Sequence, residues 1–332
     1  MAKEEYKGIW VFAEQQNGKL SNAVLEILAK AQELKAHTGE EITAVLLGNG
    51  VRAMADTLFE YGADQVVLAE DKNLEQYSAR PYQAALQQLA EKYKPSILLY
   101  GATSLGRDLA PRMMVPLDTG LTADAIDLGF DEDGVFYQTT PAYGGSILAH
   151  IVILERRPQM ATVRPKMFEP LEPRAGAKGK LVVETVDVSA DPDFEVLETA
   201  AKPDTGKCIE NSEILVAGGR GIKEEKDLEE LCELASLLGG QLAASRPLVD
   251  NGWLDHEQQI GQSGTTVKPR MIINVAISGS VQYQVGMQNA NCIVSLNHTP
   301  GVPIFDMSHY GMVGDYRTLI PAILSEIKNR KN

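Results

Sequence analysis

The chain has 332 residues, of which 44% are hydrophobic and 23% are charged. This length predicts about two domains, and the ordinary globular composition excludes wholesale disorder and fibrous repeats. The formal net charge is −14. Because a surface of that charge repels phosphate backbones and anionic lipid, we expect no nucleic-acid partner and no membrane surface as a partner.

The first half of the chain alternates short apolar runs with amphipathic helical patterns. Residues 22–35 carry apolar side chains at helical spacing, and they lie between the apolar runs 8–13 and 42–47. Strands and helices that alternate in this way predict a parallel sheet with helices on both faces. The remaining predicted elements of this part are the helices 51–61 and 81–93 and the strands 65–69 and 96–100.

The pattern changes after Leu117. Residues 119–168 contain an Asp133-Gly134 turn between strand-like stretches and little helical signal, which predicts antiparallel strands appended to the sheet. Residues 168–208 are rich in proline, glycine and charge, with one strand-like segment at 181–188. Because such a stretch is typical of a connection, we expect a domain boundary within it. The predicted domains are 1–205 and 206–332.

The second domain repeats the α/β pattern. A strong amphipathic helix covers 224–238 and ends at Gly239-Gly240, a usual termination signal. The predicted fold class is therefore α/β with two domains, the first built on a parallel sheet typical of nucleotide-binding domains. The other predicted elements of the second domain are the strands 214–217, 241–244, 271–277 and 292–296 and the helix 318–329.

Targeting and redox signals favour the cytoplasm. The longest apolar run, about 144–154, is too short to cross a bilayer, and the N-terminus is charged where a signal peptide has an apolar core. The cysteines, Cys208, Cys232 and Cys292, match no zinc spacing. We interpret them as buried thiols in a reducing compartment, and we expect a cytoplasmic protein without membrane insertion.

The motifs of common catalytic sites are missing from the sequence. The segment from Gly101 to Gly106 is followed by Arg107 and Asp108 rather than by lysine and a hydroxyl residue, and no Gly-x-Gly-x-x-Gly follows the first strand. The histidines lack metal-ligand spacing, and no Gly-x-Ser-x-Gly elbow is present. We therefore predict no catalytic residue and no metal site.

Small and polar residues cluster at the strand ends of the second domain. Ser278-Gly-Ser280 follows a buried strand and precedes the segment 281–287, which has a helical register. Unpaired amides and hydroxyls there would favour an anion such as a pyrophosphate, whereas the simpler interpretation is an N-capped helix. Since ligands bind open α/β sheets at the strand ends, the cluster predicts a nucleotide-shaped ligand. Similar segments are 218–221, 245–246, 259–264, Asn297 and Asp315.

These segments carry a resemblance to a known family. Residues 214–321 resemble the C-terminal domain of the alpha subunit of electron transfer flavoproteins, with the family's motifs in order and at its spacing. The first half is similar more loosely, through 106–112, 119–124 and 157–165, to the bacterial branch that includes electron-bifurcating members. The segments that match in the second domain are 218–221, 243–246, 249–250, 259–264, 277–282, 293–297, 303–305 and 310–315.

The resemblance implies a heterodimer of alpha and beta subunits in which the alpha C-terminal domain is an FAD-binding α/β domain. This FAD exchanges electrons with an acyl-CoA dehydrogenase, and in bifurcating members a second flavin on the beta subunit meets NADH while ferredoxin or flavodoxin accepts electrons. The chain is then an electron-carrier subunit of an NADH-linked complex rather than a stand-alone enzyme. The alternatives left open are an adenine-nucleotide-binding regulatory or ligase-like module and, with less support, a self-sufficient flavin dehydrogenase.

The resemblance also assigns roles to residues. Arg246 would lie over the isoalloxazine, Ser263 would reach its N5, and the 278–282 turn would meet the ribityl and pyrophosphate groups. Asn297 and Asp315 would serve the adenosine end. The full set of implied FAD contacts is Arg220, Ser245, Arg246, Ile260, Gly261, Gln262, Ser263, Ser278, Gly279, Ser280, Val281, Gln282, Tyr283, Asn297, Asp315 and Tyr316.

Competing interpretations accompany two of the arginines. Arg246 is either a flavin contact or a surface residue in an exposed ion pair with Asp250. On composition alone, residues 157–165 are a solvated loop, whereas the sharper hypothesis has Arg164 facing the partner subunit's flavin.

Tyr283 stands where many family members have histidine, and a neutral phenol can donate a hydrogen bond but cannot become a cation near neutral pH.

The appended strands also predict an assembly. Their apolar side chains exceed what one small sheet needs, so we expect an obligate heterodimer whose alpha chain alone is unstable or prone to aggregation. The residues concerned are Ile147, Leu148, Ile151 and Val152.

Overall fold

The computed structural model of the protein describes residues 5–16, 18–142, 147–199 and 208–331. The chain divides into two units, the first ending at Thr199 and the second beginning at the next residue. Both units are α/β, as the sequence predicts.

The first unit is built from short buried strands and the helices between them. Its early strands are apolar throughout, as in the fully buried β4, because a parallel sheet is covered on both faces. Its elements are β1 (Ile9–Phe12), β2 (Gln15–Gln16), β3 (Lys19–Leu20), α1 (Asn22–Thr38), β4 (Ile42–Gly48), α2 (Met54–Glu60), β5 (Gln65–Glu70), α3 (Ala79–Tyr93), β6 (Ile97–Gly101), α4 (Ser104–Met114), β7 (Leu121–Ala125), β8 (Asp127–Phe130), β9 (Phe136–Ala142), β10 (Ile147–Val152), β11 (Gln159–Val163) and β12 (Lys180–Glu184).

A seven-stranded sheet in the order β12-β5-β4-β1-β6-β11-β7 forms the centre of this unit, and the pairings along it are parallel. The predicted parallel sheet is thereby confirmed.

The sequence interpretation missed α4, whose pattern is interrupted by Gly106 and Pro111. The helix is nevertheless capped by Thr103, whose Oγ1 accepts a hydrogen bond from Gly106 N at 3.0 Å. It buries Leu109 and Met113.

The appended strands are only partly antiparallel. β8, β9 and β10 form a separate three-stranded antiparallel sheet, whose turn before β9 places Gly134 at φ +73°. The prediction is wrong for β7 and β11, which join the main sheet in parallel. Parallel strands are usually connected by a crossover helix, but here the small antiparallel sheet connects β7 to β11. Because the sequence shows no helix between these two strands, it gave no sign that they pair in parallel.

The strand predicted inside the connection belongs to the first unit. β12 pairs with β5 in parallel and forms one edge of the main sheet. The proline- and glycine-rich residues before it therefore connect two strands of the same unit rather than two domains.

The second unit contains a six-stranded sheet in the order β15-β14-β13-β16-β17-β18, with parallel pairings. The predicted helix 281–287 is shorter than expected, because regular α-helical structure ends at Gln284. The elements are β13 (Ile214–Gly218), α5 (Leu228–Leu238), β14 (Gln241–Ser245), α6 (Arg246–Asp250), β15 (Gln259–Ile260), β16 (Met271–Val275), α7 (Val281–Gln284), β17 (Ile293–Asn297), β18 (Tyr310–Val313) and α8 (Tyr316–Lys331).

The cysteine and membrane predictions have different outcomes. The expectation of buried thiols is wrong, because Cys208 and Cys232 are exposed and Cys292 is half-buried. Cys232 lies on α5 outside the stripe of buried residues that includes Leu231 and Leu234. Across the described residues, the helices are too short or too polar to cross a membrane.

Candidate functional site

The second unit has a topological switch point at β13. The chain runs from β13 to β14 on one side and later places β16 on the other, so the loops after these strands diverge at the carboxyl edge of the sheet. A cavity of about 800 Å³ opens there, within the roughly 300–1,000 Å³ usual for small-molecule and cofactor sites.

Most of the predicted contact residues meet in this cavity although they come from separate segments. Asp315 and Tyr316 instead line a neighbouring cavity of about 200 Å³. The lining residues that the two cavities share are Gly221, Lys223, Ala276, Asn297 and His298. Val281 lies outside both linings and is 38% exposed. The predicted residues that line the larger cavity are Arg220, Ser245, Arg246, Ile260, Gly261, Gln262, Ser263, Ser278, Gly279, Ser280, Gln282, Tyr283 and Asn297.

The turn after β16 is shaped by a close backbone approach. Gly279 has φ +82°, and a Cβ on it would lie 2.5 Å from the backbone N of Ile304. Only glycine combines this conformation with this contact. Because α7 has only four residues, an anion here would depend on the loop's own amides and hydroxyls rather than on a helix dipole. Ser280 makes no capping bond with its side chain, and Ser278 and Ser280 are both exposed.

Asn297 holds the rim of the cavity together. Its Nδ2 donates to the Ile277 carbonyl at 2.9 Å, and its Oδ1 accepts from Thr299 N at 2.9 Å. The side chain is 6% exposed. These bonds connect the loop after β16 to the loop after β17. Both polar atoms of the Asn297 amide therefore already form hydrogen bonds within the protein.

Tyr283 lines the cavity and directs its hydroxyl to the protein interior. The hydroxyl donates to Asn274 Oδ1 at 2.6 Å, and Asn274 is fully buried. Burial raises the pKa of the Tyr283 phenol far above its usual range, so the group stays neutral.

Arg246 and Ser263 both line the cavity with exposed side chains. Arg246 Nε is 3.2 Å from Asp250 Oδ2, and both side chains are well exposed. Asp250 also lines the cavity, so this ion pair and a ligand contact by Arg246 are compatible. Ser263 Oγ accepts from Gln259 Nε2 at 3.1 Å and remains exposed.

The smaller cavity is bounded by the start of α8. Asp315 Oδ1 accepts from Arg317 N at 2.9 Å, which caps the helix. The Tyr316 hydroxyl donates to Asp227 Oδ2 at 2.5 Å and accepts from Lys223 N at 3.1 Å. Burial, followed by the bond to the Asp227 carboxylate, raises the pKa of Tyr316. The Tyr316 hydroxyl is thus engaged within the protein.

Sequence reasoning missed several lining residues, among them Lys223 and His298. Their only signal was their position, since each lies within three residues of a predicted contact. Together with Arg220 and Arg246, Lys223 brings positive charge to one cavity of a chain whose net charge is −14. These three cations outnumber the single lining carboxylate, Asp250, and a site of net positive charge fits a phosphate-bearing ligand.

In the first unit, Arg164 lies at the end of β11 and is 6% exposed. The interpretation of 157–165 as a solvated loop is wrong, because this segment contains the fully buried strand β11. Arg164 Nη2 and Nε contact the Asp124 carboxylate at 2.5 and 3.2 Å. Nη1 has no hydrogen-bond partner among the described residues. Burial alone would raise the pKa of Asp124, but Arg164 and then Arg107 bring it below its usual value.

The strand β10 exposes a row of apolar side chains. Within the described residues it pairs with β9 alone and forms an edge of the small antiparallel sheet. An exposed apolar edge of this kind marks an interaction surface. The residues and their exposed fractions are Ile147 (52%), Leu148 (57%), Ile151 (40%) and Val152 (42%).

Family models match both units. Residues 9–191 match the electron transfer flavoprotein domain, and residues 208–288 match the electron transfer flavoprotein FAD-binding domain.

Full-length relatives give the same result. The chain is 42% identical over 328 residues to the electron transfer flavoprotein subunit alpha of Thermoanaerobacterium thermosaccharolyticum, covering 98% of this chain and 99% of that protein. It is 40% identical over 336 residues to the subunit of the same name from Clostridium acetobutylicum, with both chains covered completely. It is also 40% identical over 334 residues to the LctC subunit of a lactate dehydrogenase (NAD(+), ferredoxin) from Acetobacterium woodii, covering 99% of this chain and 79% of that protein.

Proposed function

The chain belongs to the electron transfer flavoprotein family as an alpha subunit, and from this premise we propose that it carries electrons through FAD held in the cavity at the carboxyl edge of the second sheet. The family binds FAD and assembles as a heterodimer with a beta subunit. The regulatory or ligase-like alternative has no support from these matches.

One observation carries the proposal for the site. Thirteen of the sixteen implied contacts, in segments spread from Arg220 to Asn297, line one cavity whose lining includes three cationic side chains. Bound FAD supplies the capacity to take up and release electrons. We assign the flavin ring to the side of Arg246 and Ser263, the pyrophosphate to the 278–282 turn, and the adenosine end to the smaller cavity beside Asp315.

We assign contact with the beta subunit to the exposed apolar row on β10. Burial of half-exposed aliphatic side chains is favourable at about 25 cal/mol per Å², and the beta subunit is the partner that the family provides. The first unit would thus assemble the heterodimer while the second holds the cofactor.

The wider electron path is a further part of the proposal. Electrons would pass between NADH, the partner's flavin and this FAD, with an acyl-CoA dehydrogenase and ferredoxin or flavodoxin as the other participants. Two observations support bifurcation of this type. One is the likeness to a subunit of an enzyme named for both NAD(+) and ferredoxin. The other is the buried Arg164, whose Nη1 has no hydrogen-bond partner in the part of the chain that the structure describes.

The test is a spectrum of the heterodimer purified after coexpression with its beta subunit. We expect the visible absorbance of oxidised flavin and its bleaching when NADH is added. A colourless heterodimer that binds ATP would contradict the proposal and favour the nucleotide-binding module.

Arg164→Ala is expected to slow NADH-dependent flavin reduction by at least about tenfold, because a hydrogen bond to a charged group contributes roughly 1.5–3 kcal/mol. The FAD of the second unit should remain bound, since Arg164 lies in the first. Stopped-flow reduction by NADH, with flavin content measured in parallel, checks this. Arg107→Ala is the matched control, because Arg107 also pairs with Asp124, at 3.3 Å, but is exposed. NADH kinetics of wild-type speed in Arg164→Ala would contradict the assignment.

A further inference from the structure

The hydroxyl of Tyr283 is the start of a buried chain of hydrogen bonds. It donates to Asn274 Oδ1 at 2.6 Å, Asn274 Nδ2 donates to Ser295 Oγ at 3.2 Å, and Ser308 Oγ lies 2.7 Å from Ser295 Oγ. Tyr283 is 3% exposed, and Asn274 and Ser295 are fully buried. The chain links α7 to β16, to β17 and to the turn before β18, and buried networks of this kind hold one arrangement when every member is satisfied.

The loops that line the cavity depend on the position of Tyr283. The preceding residue, Gln282, accepts a hydrogen bond at its carbonyl oxygen from Gln262 N at 2.8 Å. A Cβ on Gly261 would lie 3.0 Å from the same oxygen. A displacement of Tyr283 would therefore move two loops at once, 278–282 and 260–263.

The other anchors of α7 are few: Gln284 Nε2 donates to the Gly279 carbonyl oxygen at 2.9 Å, and the Gly286 carbonyl oxygen just after the helix accepts from Val267 N at 2.8 Å. The helix has four residues and no side-chain cap, so its own hydrogen bonds hold it weakly. The aromatic ring packs in the apolar cluster that includes Ile260 and Ile304, but ring packing leaves the rotation and depth of the side chain less constrained than a directed hydrogen bond does.

We propose that Tyr283 is a positioning residue: its hydroxyl, anchored to Asn274, sets the two loops that receive FAD, and it makes no hydrogen bond to the flavin. The proposal rests on the FAD site proposed above. It predicts a specific division of effects, because loss of the hydroxyl alters how well FAD is bound and leaves the reduction potential of the bound FAD unchanged.

The experiment uses the full heterodimer and the variant Tyr283→Phe, which keeps the ring. Loss of one buried bond leaves Asn274 Oδ1 unsatisfied, and we expect FAD to bind about fivefold to tenfold more weakly. We expect the potential to stay within about 20 mV of wild type, a twofold change in equilibrium at about 59 mV per tenfold. Isothermal titration of FAD into stripped heterodimer and redox titration of the reloaded protein measure the two quantities. Any flavin bound by the partner subunit contributes the same signal in every variant, so it does not affect the differences between variants.

Two further variants sharpen the result. Ser295→Ala removes the next member of the chain without touching the cavity lining, and it should weaken FAD binding in the same direction. Tyr82→Phe is the matched control, since this tyrosine of the first unit is 2% exposed and its hydroxyl donates to Leu74 O at 2.9 Å. It should lower the melting temperature without changing FAD affinity. The visible circular dichroism of bound FAD should change in Tyr283→Phe and remain unchanged in Tyr82→Phe.

Two outcomes would overturn the inference. A potential shifted by about 60 mV or more, a tenfold step, with unchanged affinity would make the hydroxyl a flavin ligand. Wild-type affinity in both Tyr283→Phe and Ser295→Ala would remove the positioning role. A wild-type heterodimer that binds no FAD would instead refute the proposed function, so the two failures are distinguishable.

Discussion

The double variant Leu148→Lys/Val152→Lys is expected to weaken assembly with the beta subunit by a factor on the order of 100 or more. Both side chains lie on one face of β10, because residues four apart in a strand point the same way, and they are 57% and 42% exposed. Full burial of an aliphatic side chain contributes roughly 1.5–3 kcal/mol, about half of which remains to be gained for each. Substitution by two lysines would remove this burial free energy and place two positive charges in the interface. Sedimentation of the coexpressed subunits measures the effect.

The control is Val183→Lys, which changes an aliphatic residue of similar exposure, 54%, on β12. It should leave the heterodimer intact. The double variant should keep its FAD-binding unit folded, because the substitutions lie in the first unit. Assembly at wild-type affinity would remove β10 from the interface, and a monodisperse, FAD-loaded wild-type alpha chain would refute the obligate heterodimer.

Arg246→Ala is expected to lower the first one-electron reduction potential of the bound FAD by on the order of 60–130 mV. A guanidinium beside the flavin favours the redox states that carry negative charge. Hydrogen bonds to charged groups contribute roughly 1.5–3 kcal/mol, and about 59 mV corresponds to a tenfold change in a one-electron equilibrium. Arg246→Lys should retain only part of the effect, because a compact ammonium does not reproduce the planar guanidinium. Spectroelectrochemical titration of the heterodimer measures both variants.

Arg270→Ala provides the comparison. Arg270 is also an exposed arginine of the second unit, and its Nη1 lies 3.7 Å from Glu213, but it does not line the cavity. Its removal should leave the potential unchanged. A potential within about 20 mV of wild type in Arg246→Ala, well below one tenfold step, would reduce Arg246 to the exposed ion pair with Asp250, worth about 0–1 kcal/mol.

The central strands of the two main sheets were predictable because burial on two faces demands continuous apolar runs, as in β4 and β13. Elements whose stability comes from their surroundings were not. α4 contains Gly106 and Pro111 and is held by its cap and its buried face. β18, with four exposed residues, has no alternation to recognise. β7 and β11 pair through a tertiary arrangement that local pattern does not encode.

The candidate site shows the same division. Strand ends and the family's motifs located the segments that line the cavity, because the carboxyl ends of parallel strands meet at one edge. They did not reveal which of the lining side chains form hydrogen bonds within the protein. Asn297 bonds two backbone groups, and the hydroxyl of Tyr283 points to Asn274. Such partners come from neighbouring strands, so their identity follows from register and packing, which a single sequence does not contain.

The place of β12 decides where the chain can be cut. A recombinant fragment ending in the proline- and glycine-rich residues 168–179 would lose this strand, and the backbone groups of β5 that pair with Lys180–Glu184 would become an open sheet edge. Open edges recruit strands from other molecules. Gly179 itself approaches the Asp64 carbonyl so closely that a Cβ would lie 2.5 Å from it. A soluble fragment of the first unit therefore has to extend past Val186, which packs in the core, to about Thr199.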